Sequence, residues 1–301
     1  MREEVSEVPP HSAESNRARL TPSPLSLLGE GALLPFRHFP LPTLPCLRIF
    51  AYKMKLKIAL FGYGKMGHEI ETAALQAGHT IVATFDVEKR PSLGVLSASG
   101  ADVAIDFSQP NAVEENVRLC AAAGVPIVIG TTGWDSAQDM VRETVDGAHI
   151  GCVIGSNFSV GVNFFLEIVR IAARIINAGE YDAYILEAHH RGKKDFPSGT
   201  ALRLSEAVLS ALKSKTKAIS ELPHGEAIPA NELLISSIRA GSITGTHTVG
   251  FESEEDSIEL THQAKNRRGF ASGAVHAAEW IVNRKGFYRF EEHIGDILGA
   301  R

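Results

Sequence analysis

Residues 57–67 read Lys57-Ile58-Ala59-Leu60-Phe61-Gly62-Tyr63-Gly64-Lys65-Met66-Gly67. A short apolar run ends in G-x-G-x-x-G. Behind it Met66, Ile70, Ala73, Ala74 and Ala77 recur at helical spacing until Gly78. The order predicts strand, glycine turn, helix. In such a turn one glycine permits the tight bend, the next lets backbone approach a pyrophosphate, and the third lets the helix pack against the strand. The helix start then offers unpaired N–H groups and partial positive charge to phosphates. Gly62, Tyr63, Gly64, Lys65, Met66 and Gly67 are therefore candidate cofactor-binding residues. Asp86 follows the β-branched run Thr80 to Phe85 and stands 19 positions past Gly67. An acid there accepts from ribose hydroxyls, which leans the cofactor, NADH or NADPH, toward NADH. Lys89 and Arg90 nearby would tolerate a phosphate. A glycine-rich turn alone is commonplace; the strand–helix context and Asp86 give this one its meaning.

The alternation continues. Strands are expected at Ala101–Phe107, Val125–Ile129 and His149–Ile154, and helices at Asn111–Ala123 and Ser136–Val145. Apolar strands alternating with helices predict a Rossmann-type, doubly wound parallel sheet. Gly130-Thr131-Thr132-Gly133 follows one strand and Gly155-Ser156-Asn157-Phe158 another. Ligands of open parallel sheets sit beyond such strand ends. Gly130, Thr131, Thr132, Gly155, Ser156, Asn157 and Phe158 thus join the cofactor candidates, with Thr and Asn suited to ribose and carboxamide.

Beyond residue 157 the pattern changes. Helices at Val160–Ala178 and Ser198–Leu212 flank a strand at Tyr181–Ala188. Three strand-like runs then follow without helices: Glu232–Arg239, Ile243–Phe251 and Ser257–Ala264. Consecutive strands predict a second α+β domain on an open mixed sheet. A last helix is expected at about Ala271–Asn283. The domains expected are 54–157, dinucleotide-binding; 158–265, substrate-binding and oligomerisation; and 266–301, a C-terminal helix.

The chain has 301 residues, a net charge of −5 and 44% hydrophobic residues. No apolar run reaches the ~20 residues of a membrane span, so no membrane partner is expected. The slight acidity argues against nucleic acid as a partner. Three cysteines, Cys46, Cys120 and Cys152, exclude a disulfide scaffold and favour a reducing cytoplasm. Eight of the 14 prolines lie in residues 1–53, which lack periodicity and carry almost no net charge. That segment reads as a disordered or non-native leader, with Met54 a candidate start; a tail with a docking role is the other reading.

The densest chemistry lies at Glu187-Ala188-His189-His190-Arg191-Gly192-Lys193-Lys194-Asp195-Phe196-Pro197-Ser198-Gly199-Thr200-Ala201. Ser198, Gly199 and Thr200 form a helix start suited to a carboxylate. His189, His190, Arg191, Lys193 and Lys194 bring cations and proton donors. Both histidines reach one cleft only if the strand has ended. A metal site is not expected, for want of an Asp, Glu or Cys at ligand spacing. A solvated basic loop is the plain alternative, and the Ser-Gly-Thr helix start weighs against it.

This run resembles the signature of the bacterial dihydrodipicolinate reductase family, also called 4-hydroxy-tetrahydrodipicolinate reductases. The resemblance extends from about Lys55 to the C-terminus. It takes in Ala104-Ile105-Asp106-Phe107-Ser108, Gly130–Gly133, Ser156–Asn163, Arg239-Ala240-Gly241 and Phe270-Ala271-x-Gly273-Ala274. It implies NADH- or NADPH-dependent reduction of a cyclic dicarboxylated imine in the diaminopimelate route to lysine. It also implies a two-domain subunit whose last helix returns to the nucleotide domain, and a homotetramer built through the open sheets. By the resemblance, His189 is the acid/base residue and Lys193 the proton donor. His190, Lys193, Ser198, Gly199 and Thr200 would hold the substrate carboxylates. The glycine loop is one residue shorter than the family's longer form. Asp86 stands where others have Glu, with no Arg directly after it; these departures bear on the choice of cofactor. The rivals are another Rossmann dehydrogenase acting on an amino acid or sugar, a cofactor-binding regulator, and a dicarboxylate-binding module. The first two do not require the His-His-x-x-Lys-x-Asp-x-Pro-Ser-Gly-Thr run, and the nucleotide site argues against the third.

Overall fold

A computed structural model describes residues 54–299. The leader expected at 1–53, with Cys46, lies outside the described residues. The glycine-turn reading holds: β1 (Lys57–Phe61) runs into α1 (Lys65–Gln76), followed by β2 (Thr80–Phe85). Then come α2 (Leu93–Ser99), β3 (Val103–Asp106), α3 (Val113–Ala123), β4 (Ile127–Ile129), α4 (Gln138–Ala148) and β5 (Gly151–Ile154). These strands form a parallel sheet with helices on both faces.

Period 2 explains why both faces are dry. Ile58, Leu60, Val103, Ile105 and Val128 face one way, onto Ile70 and Ala74 of α1. Ala59, Phe61, Ala104, Ile127 and Ile129 face the other, onto Leu96, Val117, Cys120 and Val141. Successive side chains alternate across a strand, so a strand covered on both sides must be apolar throughout.

The second half holds α5 (Val160–Ile176), β6 (Asp182–His189), α6 (Gly199–Leu209), β7 (Lys217–Ile219), β8 (Glu232–Arg239), β9 (Thr246–Glu252) and β10 (Ser257–Gln263). Its sheet has the order β10-β9-β6-β8-β7. β6 pairs parallel to β8 and antiparallel to β9, so the sheet is mixed. α5 and α6 cover one face, burying Val162, Leu166, Leu204 and Val208 on Ala183, Ile185, Leu233 and Val249.

The chain then returns to the first sheet by α7 (Arg268–Ile281), whose Ala274 and Ala278 share a core with Ile70 and Ala74 of α1. The expected last helix is thus shifted toward the N-terminus, and it is not the last element. β11 (Gly286–Arg289) pairs parallel to β5 as the sixth strand, giving the order β11-β5-β4-β3-β1-β2, and α8 (Ile294–Ile297) follows. The expected helices at 111–123 and 136–145 begin with short 3-10 turns at Pro110–Ala112 and Asp135–Ala137. α2, β7, β11 and α8 were not expected: each is short, and a strand of three or four residues shows no period of its own.

Candidate active site

The carboxyl ends of β4, β5 and β11 face the end of β6 and the start of α6 across a cavity of ≈ 580 Å³. Thr131, Thr132, Gly155, Ser156 and Asn157 line it from the first sheet; His189, His190, Lys193, Ser198, Gly199 and Thr200 line it from the second. β6 ends at His189, so the condition for both histidines to reach one cleft is met. Arg191 and Lys194 are exposed and are not among the lining residues.

The glycine turn lies outside this cavity. Its Gly62 has φ +89°, and a Cβ there would stand 2.2 Å from the Phe107 carbonyl oxygen. A Cβ on Gly67 would stand 2.5 Å from the Gly62 carbonyl oxygen. Only glycine permits these approaches. Gly64 caps α1 with no side-chain hydrogen bond, and no acid stands in the first turn. Lys65 is exposed, whereas Met66 and Tyr63 pack against the core. An open helix start of this kind fits a dinucleotide phosphate. Asp86 is exposed just past β2, where its Oδ1 accepts from the amides of Glu88 (2.9 Å) and Lys89 (2.7 Å).

Three expected ligands carry internal duties. The Thr131 hydroxyl donates to buried Asp106 (2.8 Å) and accepts from the Ser108 amide (2.8 Å), so Thr132 is the outward hydroxyl of that pair. Asp106 also accepts from Ser108 Oγ and Asn116 Nδ2, tying together the loops after β3 and β4. The Phe158 ring is buried, 1% exposed, between Phe107 and Phe290. It seats the loop after β5 rather than reaching the cavity. Gly130 passes under the Phe107 ring, 2.1 Å from where its Cβ would stand.

Ser198 is the N-cap of α6. Its Oγ accepts from the Ala201 amide and lies 3.1 Å from His247 Nε2, and its N–H donates to Glu187 Oε1 (3.0 Å). With these groups committed, the donors left to an incoming anion are the first-turn amides of Gly199 and Thr200. Asn157 Nδ2 donates to Thr200 Oγ1 (3.2 Å), and Arg203 donates to Ser156 Oγ (3.4 Å). These two contacts join the halves along one edge of the cavity.

Beneath His189 lies a buried polar network that the sequence did not reveal. Glu187 is fully buried. Its Oε1 accepts from Ser198 N, Ser237 Oγ (2.7 Å) and Arg239 Nη2 (2.7 Å). Its Oε2 lies 2.7 Å from His189 Nδ1, at hydrogen-bond distance but outside hydrogen-bond angle. Burial pushes the Glu187 carboxyl up, but its pairing with His189 and the hydrogen bonds from Arg239, Ser237 and Ser198 outweigh it, and the group is held below the usual range. Burial, with the charge of His189, pushes His247 down to about 4. Lys193 Nζ donates to both oxygens of Asp195 (2.9 Å each), which holds that carboxyl down.

The premise against a metal needs correction, since Glu187 and His247 do stand beside His189 with ligand atoms within 4.8 Å of one another. Two ligands on a tetrahedral zinc would be about 3.4 Å apart, however. The 2.7 Å approach of Glu187 to His189 is that of a carboxylate–imidazole pair. Arg203 and Arg289 were also missed as lining residues. Arg203 lies three residues past Thr200 on one helix face, a spacing that could have revealed it.

Comparisons with known proteins agree with this geometry. The family model described as dihydrodipicolinate reductase, N-terminus, matches residues 56–158, and that described as its C-terminus matches residues 161–294. A curated relative named 4-hydroxy-tetrahydrodipicolinate reductase, from Christiangramia forsetii, is 38% identical over 246 residues, 81% of this chain and 99% of the relative. One of the same name from Methanoregula boonei is 39% identical, covering 72% of this chain and 82% of the relative. Among solved structures, a dipicolinate-bound dihydrodipicolinate reductase from Paenisporosarcina sp. TG-14 superposes with a TM-score of 0.64 at 24% identity, covering 79% of this chain and 99% of that one. An amine dehydrogenase from Mycobacterium smegmatis superposes at 0.53 with 11% identity, covering 79% and 96%. These two likenesses show the fold alone. With both halves matched in order and a relative covered almost end to end, the chain belongs to the dihydrodipicolinate reductase family.

Proposed function

We propose that this protein is a 4-hydroxy-tetrahydrodipicolinate reductase, an NAD(P)H-dependent oxidoreductase of the diaminopimelate route to lysine. The substrate is a cyclic imine carrying two carboxylates. The observation that carries the reading is the cavity itself: His189, His190 and Lys193 face the open start of α6 on one wall, with Thr132, Ser156 and Asn157 on the other. Another Rossmann dehydrogenase would need only the second wall.

Gly62 to Gly67, Gly130 to Thr132, Gly155 to Phe158 and Asp86 would hold the cofactor, which supplies the hydride when bound. The bare helix start at Gly64 supports the phosphate position, and Asp86 supports a preference for NADH. Gly199, Thr200, His190 and Lys193 hold a substrate carboxylate, with Ser198 shaping the cradle. The Lys193 ammonium leaves Asp195 for that carboxylate and supplies the proton, and His189 acts as acid/base. The cationic wall explains how an acidic chain takes a dianion.

We further infer the division 54–157, 158–265 and 266–301, with α7 and β11 returning to the nucleotide half. The sheet face away from α5 and α6 carries Tyr184, Leu186, Leu234 and exposed Ile238, which supports assembly into a homotetramer. Among the described residues no helix is long and apolar enough to cross a membrane. The pathway supports a cytoplasmic setting. The test is a coupled assay. The substrate is generated in place from pyruvate and aspartate semialdehyde by its synthase, and loss of nicotinamide absorbance is followed with NADH and NADPH in parallel. Consumption that needs both synthase and protein is expected; none, from folded protein that binds NADH, would move the rival dehydrogenases to the front.

A further inference from the structure

We propose that Glu187 is a positioning residue that ties the His189 ring and the anion cradle at Ser198 to one buried carboxylate. The inference rests on the reductase reading for the roles of His189 and the cradle. One oxygen, Oε2, stands 2.7 Å from His189 Nδ1. The other, Oε1, takes the Ser198 amide at 3.0 Å. A shift of the carboxylate therefore moves both the acid/base ring and the N-cap of the carboxylate-binding helix. Arg239 extends the linkage. Its Nη2 donates to Glu187 Oε1 and also to the Asp195 carbonyl (2.6 Å), whose side chain holds Lys193. His189 and Lys193 are thus linked through one ion pair whose carboxylate is buried.

Stability alone does not explain a carboxylate at 0% exposure. Taking Glu187 and Arg239 out of water costs several kcal/mol per ion, and apolar residues of the same size often serve a fold as well. The arrangement has a chemical result instead. A carboxylate against Nδ1 fixes the proton on that nitrogen and stabilises the imidazolium, leaving Nε2 to exchange protons. Nε2 points toward Gly245, where a Cβ would stand 3.2 Å from it. The absent side chain keeps that edge of the ring open. The ring of His247 meets His189 edge-on, with centroids 5.1 Å apart, and is neutral near pH 7. Among the described residues, the charges around His189 are Glu187 from β6, Arg239 from β8, and Lys193 with Asp195 from the loop; the titratable rings beside it are His190, next in the chain, and His247 of β9.

The sign of the test follows. Glu187→Gln removes a negative charge beside His189 and leaves the Arg239 charge unbalanced. Both changes disfavour the imidazolium. The midpoint of the His189 ring titration, followed by NMR of labelled protein and assigned by its absence in His189→Gln, is expected to fall by at least ~1 unit. kcat is expected to fall by ~10²-fold, with NADH Kd within about 2-fold of native. Glu187→Asp keeps the charge and is expected to leave the ring midpoint within about 0.5 unit of native. If E187Q proves too unstable to purify, E187Q/R239Q leaves no buried charge unpaired and carries the same two readouts. An unmoved ring midpoint, or kcat within about 3-fold of native, overturns the proposal. Native protein that fails to reduce the substrate would sink the reductase reading instead; the ring titration then judges Glu187 on its own.

Discussion

The glycine turn, outside the cleft, is built by leaving side chains out, and one wall of the cleft itself by burying charges. At Gly62, Gly67 and Gly130 a Cβ would strike backbone or ring atoms at 2.1–2.5 Å, so bare backbone forms the surface that the proposed function gives to the nucleotide. On the His189 side of the cavity Glu187, Arg239, His247 and His189 pack charged or polar groups together. On the proposed function, the glycine turn meets a cofactor whose shape is constant, which needs closeness. The charged wall must hold a proton on a chosen nitrogen, which needs a fixed field in a dry place. On this division, substitutions on the charged wall should damage chemistry and spare cofactor binding, and those in the glycine turn should damage the scaffold first.

The largest effect is expected at the charged wall. His189→Ala and Lys193→Ala should each lower kcat by at least ~10²-fold, about 3 kcal/mol of barrier, while NADH Kd stays near native. Steady-state kinetics with fluorescence titration of NADH checks both halves of the claim. Loss of NADH binding in either variant would break the comparison, since a single residue would then serve both regions.

Next comes the glycine turn. Gly62→Ala puts a Cβ against the Phe107 carbonyl in a left-handed backbone, a contact no rotamer can relieve. Its cost is expected at about 2–3 kcal/mol in urea unfolding. Gly64→Ala is the control: nothing lies within 4 Å of its Cβ, and less than about 0.5 kcal/mol is expected. Equal losses in the two would show that the loop, rather than the close approach, sets the requirement.

His247 sharpens the comparison by pH. Its folded value of about 4 lies below the ordinary 6.5, so the folded state favours the neutral ring. That stability is fully present above pH 6.5 and is lost as pH falls through about 4. Native protein should lose about 2 kcal/mol more than His247→Gln between pH 7 and pH 4, by denaturant unfolding at each pH. Parallel curves would mean that the ring relaxes into water at no cost.

The glycine turn and the charged wall also differ in how far the sequence could be read. The glycine turn is local: Gly62 to Gly67 lie on consecutive residues, and the strand, turn and helix around them announce themselves by period. The charged wall was half legible. His189, His190, Lys193 and the Ser198 cap share one segment. Ser237 and Arg239 reach Glu187 from 50 and 52 residues away, by the parallel pairing of β6 with β8. No spacing rule predicts which strand lies beside which. Ser198 reads as a ligand because it opens a helix, and Thr131 because it follows a strand; the fold adds that His247 and Asp106 also engage their hydroxyls. β11 escaped for a related reason. Gly286-Phe287-Tyr288-Arg289 has no alternation, and becomes a strand because β5 offers it an edge.

The smallest predicted effect falls on Asp86, where the glycine turn meets an acid. Oδ1 is engaged by the amides of Glu88 and Lys89, which fixes the carboxylate at the end of β2. One oxygen is left to face a ribose. A single acceptor still favours a 2′-hydroxyl and repels a 2′-phosphate, though less than a free carboxylate would, and Lys89 and Arg90 offset part of the repulsion. Asp86→Asn keeps an oxygen for the turn and removes the charge. The ratio of kcat/KM for NADH to that for NADPH should fall by ~10-fold, about 1.4 kcal/mol, with kcat for NADH nearly unchanged. A ratio that stays put would mean that the turn, through its backbone, chooses the cofactor, and that the glycine loop discriminates by shape with no help from charge.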